Sequence, residues 1–441
     1  MIFAGLKNLL AKSSLLLLAR FAGAILAFAG GILIARFFGA TALGMVALMG
    51  AITGLLSVGI STGRPAVAIQ FASEYLEIKK YGAINGFLHR GYKIIGGLSA
   101  IIVLLALLFA STAPFGVSSD TIYACLFAAL SAPALALINF NGGILTGHGM
   151  QLRALIPELL FKPMLLLLGI GLLLAAPLSA PYWLLAMIAC TLWITLGVQM
   201  LLVRSKLKFR SADPDYGDAR RWRGRATPWI AITLLADYLI ELHLLLAGLL
   251  LMPAQLAVLH VAFRMRMLAS FGMRALYSVV LPDIYTAHTA GDTNRVNREL
   301  TKSNGLALVY ALAACTGMYL FGELFLGFFG PEFKVGHDAL MIACLTMIPK
   351  AIFGPATNIM SVAGRQKPMI VILLAGMLAS AFVIFAMFPN AGITGIAVGY
   401  ATAITFISIA QWWWTLKETG IDCSIFSTLI NNSRIGIKTS T

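Results

Sequence analysis

Twelve apolar stretches alternate with short polar gaps along the chain. Each is close to the roughly 20 residues that a helix needs to cross about 30 Å of hydrocarbon at about 1.5 Å per residue. The pattern predicts spans near 13–35, 40–61, 92–112, 120–145, 155–177, 182–203, 227–250, 255–282, 304–328, 337–362, 368–388 and 391–415. Lysine and arginine collect in every second gap, which marks the cytoplasmic side. The leader carries Lys7 and Lys12, and the second gap Arg64, Lys79, Lys80, Arg90 and Lys93. Arg153 follows in the fourth gap. The sixth holds Arg204, Lys206, Lys208, Arg210, Arg220, Arg221, Arg223 and Arg225. Arg295, Arg298 and Lys302, then Arg365 and Lys367, then Lys417, Arg434 and Lys438 complete the series. That places 24 cations on one side against two, Arg36 and Lys334, on the other. Both termini are therefore expected in the cytoplasm, and an odd number of spans would break the alternation.

The longest polar stretch, Arg204 to Ala226, lies between the sixth and seventh spans. It divides the chain into an N-terminal six-helix lobe (1–210), a basic cytoplasmic linker (211–226) and a C-terminal six-helix lobe (227–441). Six is even, so both lobes enter from the same side and form parallel repeats about an axis along the membrane normal. An internal echo agrees with duplication: Asn141 is followed six residues on by Gly147, and Asn358 by Gly364. Pro133 and Pro349 stand shortly before the two asparagines. Prolines at matched places predict bent spans, because proline removes one rung of the helical ladder.

Hydrophobic residues make up 60% of the chain, charged residues 11%, and the mean hydropathy is +0.90. No soluble domain hides that much apolar surface, so the fold class is all-α integral membrane. The net charge of +15 sits in the gaps, where it serves topology and anionic headgroups, and nucleic acid is not an expected partner. Five scattered cysteines form no CxxC or Cys/His cluster, so neither a metal, a cofactor nor a disulfide framework is implied. The first apolar stretch is too long for a cleaved signal and is interrupted by Arg20, so it is read as a span.

Six cations remain that topology does not require: Arg20, Lys162, Arg264, Arg266, Arg274 and Lys350. A charge at mid-bilayer costs several kcal/mol, so it normally faces a cavity or a partner. Asp237 and Glu241 are four residues apart and should share a helix face in the seventh span, roughly 14 and 20 Å deep. Arg264 and Arg266 should lie at similar depth in the eighth, roughly 15 and 18 Å. One reading is an acid–base cluster joining the two helices. Arg264 and Arg266, two apart, point to nearly opposite sides, so one is left for something else. Arg274 lies near the end of its span, where snorkelling is the default. Glu158 and Lys162 are spaced for an intrahelical pair. Lys350 has no acid nearby in sequence. Six cations against three acids (Glu158, Asp237, Glu241) make an interior suited to an anion, and arginine forks fit a diphosphate.

Arg20-Phe-Ala-Gly23 leading into Leu33-Ile-Ala-Arg36-Phe-Phe-Gly39 and on to Gly44 resembles the first-span signature of polysaccharide repeat-unit flippases. So does Gly142-Gly-Ile-Leu-Thr-Gly-His-Gly149, followed by Pro157-Glu158 and Lys162-Pro163. These flippases, of the O-antigen and exopolysaccharide type, belong to the multidrug/oligosaccharidyl-lipid/polysaccharide (MOP) superfamily. The resemblance covers essentially the whole chain. It implies a MATE-like, V-shaped pair of six-helix lobes around a central cavity, in a bacterial inner membrane. The implied function is transfer of undecaprenyl-diphosphate-linked oligosaccharides from the cytoplasmic to the periplasmic leaflet by alternating access. The implied substrate site is Arg20 with Arg264, Arg266 or Arg274. Implied partners are the lipid-linked oligosaccharide, membrane lipids, and the polymerase and glycosyltransferases of the same pathway. A drug or organic-cation antiporter on the same scaffold is the alternative, although its branch relies on first-lobe acids that this chain does not show. An integral glycosyltransferase would need a large polar loop or a catalytic acidic motif, and the longest loop is short and basic. The chain is therefore not expected to be an enzyme.

Overall fold

The computed structural model describes residues 2–112, 118–176, 180–206, 212–362 and 365–427. Lys208, Arg210, Gly364, Arg434 and Lys438 of the sequence patterns lie outside the described residues, as do the side chains of Lys7, Lys12 and Lys206. Among the described residues nine helices are long and apolar enough to cross a membrane, with one bent pair besides. The chain is a multi-pass membrane protein. Nine helices accommodate the predicted spans because two of them are double. Leu18–Ser61 and Gln366–Thr419 run 44 and 54 residues, more than a bilayer can take from one helix. Each turns at a glycine in a conformation closed to other residues: Gly39 (φ 86°, ψ 168°) and Gly392 (φ 50°, ψ −123°). The bent pair, Ala219–Asp237 with Leu239–Gly248, supplies the remaining span.

The chain divides into two compact units, Met1–Ala257 and Val258–Thr441. The first contains α1 (Ile2–Ser61), α2 (Arg64–Glu77), α3 (Tyr81–Thr112), α4 (Ser119–Gly147), α5 (Gln151–Ile156), α6 (Lys162–Ala175), α7 (Pro181–Lys206), α8 (Ala219–Ile232) and α9 (Leu239–Gly248). The bent seventh span thus packs with the helices before the linker. Two π-turns interrupt these spans, Pro157–Phe161 between α5 and α6 and Thr233–Asp237 between α8 and α9. Pro163 has no N–H to donate to the Leu159 carbonyl. That carbonyl is instead covered by α1, where Gly23 approaches so closely that a Cβ would stand 2.0 Å from the oxygen. The π-turn and the glycine are therefore one feature.

At one end of this unit α8 is clamped to α2. Arg221 pairs with Glu74 through two bonds of 2.6 and 2.9 Å. Tyr75 donates to Asp218 at 2.6 Å and accepts from the Trp222 indole at 2.8 Å. Burial, with the Asp218 bond, pushes the Tyr75 hydroxyl up to about 12. Phe71, Phe87, Phe140 and Trp222 fill the core beneath.

The second unit holds most of α10 (Pro253–Ala269), then α11 (Phe271–Thr289), α12 (Thr293–Gly327), α13 (His337–Leu345), α14 (Met347–Phe353), α15 (Ala356–Val362) and α16 (Gln366–Thr419). Its final segment folds back across α12 and α14. Asn304 donates to the Cys423 carbonyl at 2.6 Å, and the Ile425 amide donates to Ile352 at 2.8 Å. Gly354 (φ +67°) permits this approach, since a Cβ there would meet the Cys423 oxygen at 2.1 Å.

Gly23→Leu is expected to lower stability by about 1–3 kcal/mol, because the side chain would be driven into the π-turn backbone. Thermal unfolding in detergent checks this; an unchanged midpoint would show that α1 does not close on Leu159.

Candidate functional site

Two helix breaks face each other in the second unit, and the charged residues gather there. Span eight is interrupted at Ser270, between α10 and α11. The next-but-one span breaks at Thr346, where Pro349 lacks the N–H that would bond the Leu345 carbonyl. In hydrocarbon such freed groups must be satisfied by protein. Tyr310 of α12 serves the first break, donating to the Ala269 carbonyl at 2.8 Å and accepting from the Gly272 amide at 3.3 Å. Arg266 and Thr346 join the two. The guanidinium donates to the Thr346 hydroxyl from Nε (3.3 Å) and Nη2 (3.1 Å), and Thr346 donates to Ala343 at 2.6 Å.

Arg266 is 2% exposed and lies over the Tyr400 ring at 5.6 Å. Lys350, half-buried, is within electrostatic reach of both Arg266 and Arg274. Among the described residues no carboxylate pairs with Arg266 or Lys350. The charges acting on Lys350 are both positive. Arg266 and Lys350, with Arg274 in electrostatic reach of the lysine, thus stand at a double helix break, and among the described residues no carboxylate pairs with Arg266 or Lys350. Such a group attracts an oxyanion, and its arginines offer forks that match phosphate.

Arg264 is exposed on its helix while Arg266 is buried, the opposite orientation expected of residues two apart. Arg274 is exposed and acts electrostatically on Lys350. Arg20 belongs to the first unit, is exposed, and stands one turn before Gly23.

The acids behave differently from expectation. Asp237 and Glu241 do not share one helix face: the π-turn ends at Asp237, and the helices on either side of Tyr238 bend by 68°. Asp237 is left exposed and Glu241 half-buried. Glu158 and Lys162 form no ion pair, since the π-turn Pro157–Phe161 replaces the regular turn between them. Glu158 and Glu241 instead both act on Tyr238, whose side chain also meets Ser57 of α1 and Asn139 of α4. Gly54 makes room for the ring, with a Cβ position 2.5 Å from it. Two acids, a phenol, a hydroxyl and an amide therefore converge inside the first unit.

No family model matches the sequence, and no curated protein is similar to it at a significant level. Solved structures are similar across nearly the full chain. An inward-facing multidrug resistance MATE family transporter of the MOP superfamily aligns at 15% identity with a TM-score of 0.68, over 89% of this chain and 93% of its own. The lipid II flippase MurJ, in an inward closed conformation, aligns at 15% identity and 0.70 over 90% and 86%. A MOP superfamily transporter from Pyrococcus furiosus, described as having a binding pocket of reversed polarity, aligns at 14% identity and 0.61 over 91% and 96%. The chain has the MOP transporter fold.

On this MOP fold the groups that the residue pattern did not reveal are mostly uncharged: Thr346, Tyr310 and Tyr400 around the cations, Ser57, Asn139 and Tyr238 around the acids. Proline beside a charged residue was the available signal, at Pro349-Lys350 and Pro157-Glu158.

Thr346→Val is expected to cost about 1.5–3 kcal/mol, because a buried guanidinium loses the acceptor for two of its donors. Thr346→Ser should restore most of it. Chemical unfolding of the three proteins checks this, and equal stability of wild type and Thr346→Val would show that the bond carries no weight.

Proposed function

We propose that the chain is a flippase for undecaprenyl-diphosphate-linked oligosaccharide repeat units. It carries them by alternating access from the cytoplasmic to the periplasmic leaflet of a bacterial inner membrane, with both termini cytoplasmic. The observation that carries this reading is the placing of Arg266 and Lys350 at the helix breaks, with Arg274 in electrostatic reach and no carboxylate paired with Arg266 or Lys350 among the described residues. A diphosphate supplies the negative charge that the group lacks. Arginine forks bind its oxygens bidentately, and Lys350 adds a point charge. Arg20 and Arg264 are exposed cations that this reading also assigns to substrate binding. Support from fold comes from the lipid II flippase, whose named substrate is also a lipid. Polymerase and glycosyltransferases of the same pathway are the partners this reading requires.

A second reading, an antiporter of drugs or organic cations, is favoured by a different observation. Glu158 and Glu241 are intramembrane acids without ion pairs among the described residues, and acids of that kind exchange protons for cations. MATE multidrug transporters share the fold.

Translocation of a fluorescent polyprenyl-diphosphate oligosaccharide in proteoliposomes separates the two. Arg274→Gln with Lys350→Gln should slow it by about tenfold or more, the size expected for lost charge-assisted bonds. Glu158→Gln should leave translocation of that substrate less affected. Unimpaired flipping by the cation variant, together with uptake of an organic cation that Glu158→Gln abolishes, would establish the antiporter instead.

A further inference from the structure

The first unit contains a second uncompensated cation, at the opposite extreme of environment from a surface arginine. Arg64 opens α2 directly after Gly63, whose left-handed conformation (φ 70°) turns the chain out of α1. Gly63 packs so tightly on α8 that a Cβ would stand 2.1 Å from the Ala226 carbonyl. The turn therefore buries the residue that follows. Arg64 is 7% exposed, and its Nη1 is buried with no hydrogen-bond partner. Among the described residues no other bond or ion pair reaches its side chain. The charge nearest in effect is Arg90 of α3, which is positive, and burial and Arg90 together push the guanidinium below its ordinary range.

The acids at this end are engaged elsewhere. Glu74 is held by both donors of Arg221, and Asp218 accepts from Tyr75. Asp215 accepts from the Gly217 amide. No side chain caps the first turn of α2, so the positive end of its dipole also points at this place. Guanidinium does not shed its proton in proteins, and an uncompensated buried charge is costly, so the site is complete only with an anion.

We infer that the start of α2 is an anion site, in which Arg64 and Arg90 hold a phosphate group from a lipid headgroup or from solution. It is separate from the Arg266–Lys350 group, which lies in the other unit, and does not depend on what the protein transports.

The test uses the full chain in neutral detergent, with Arg64→Met to replace the charge by a side chain of similar length. Inorganic phosphate is titrated while the unfolding midpoint is followed, and retained phosphatidylglycerol is counted by native mass spectrometry against a phosphatidylcholine control. A ligand that binds only the folded state raises the midpoint as it saturates. A saturable rise with phosphate, weakened about tenfold or more in Arg64→Met, assigns a soluble phosphate. Retention of phosphatidylglycerol by wild type but not by Arg64→Met, with no response to phosphate, assigns a headgroup. Equal behaviour of the two proteins, or no binding of either probe to wild type, overturns the site. Should Arg64→Met fail to fold, Arg90→Gln is read in the same way, because Arg90 is exposed and its loss should be tolerated.

Discussion

Inside hydrocarbon a backbone group that leaves its helix has no water to turn to, and most of the described chemistry follows from that constraint. The breaks at Ser270 and Thr346 are places where the ladder stops, and polar side chains meet at each. Tyr310 bridges the first, and Arg266 reaches Thr346 at the second. The π-turn before Pro163 is closed in another way, by letting Gly23 bring α1 against the Leu159 carbonyl. At two of these places a charged residue stands directly after the proline. Lys350 follows Pro349, and Glu158 follows Pro157. The irregular backbone and the functional charges therefore come as a set.

The intramembrane charges cluster by sign around Lys350 and around Tyr238. In the second unit, Arg266 and Arg274 both act on Lys350, and no carboxylate pairs with Arg266 or Lys350 among the described residues, an arrangement that opposes its own assembly. The bonds to Thr346 and the ring of Tyr400 restrain Arg266, but neither cancels its charge. A structure that keeps like charges together in a medium of low polarity stores an affinity for the opposite charge. In the first unit the polarity around Tyr238 is reversed, with two acids and neutral hydrogen-bonding groups.

Span positions, and the excess of cations over acids, were legible from sequence because hydropathy and charge are properties of single residues. The doubled helices Leu18–Ser61 and Gln366–Thr419 were also readable as pairs, since Gly39 falls between predicted spans and Gly392 at the start of the last one. The pairing of charges was not legible. Regular helical spacing put Glu158 beside Lys162 and Asp237 beside Glu241, yet a π-turn intervenes at the first place and a 68° bend after a π-turn at the second. A π-turn depends on which neighbour accepts the freed carbonyl, as Gly23 shows, and that neighbour is distant in sequence. For the same reason Thr346 and Tyr310 were invisible: an uncharged polar residue in an apolar run has many possible roles until its partner is known. Arg64 was counted as a topology charge, and only its burial sets it apart.

The central claim is that the cations of the second unit recognise a diphosphate, and direct binding tests it most simply. The affinity of purified protein for polyprenyl diphosphate and for the uncharged polyprenol is measured by calorimetry, for wild type and for Arg266→Gln combined with Arg274→Gln and Lys350→Gln. The account predicts that wild type binds the diphosphate far more tightly than the alcohol, and that the triple variant loses this preference by about a hundredfold or more. An unchanged preference in a folded triple variant, or wild-type binding that ignores the diphosphate, would contradict it.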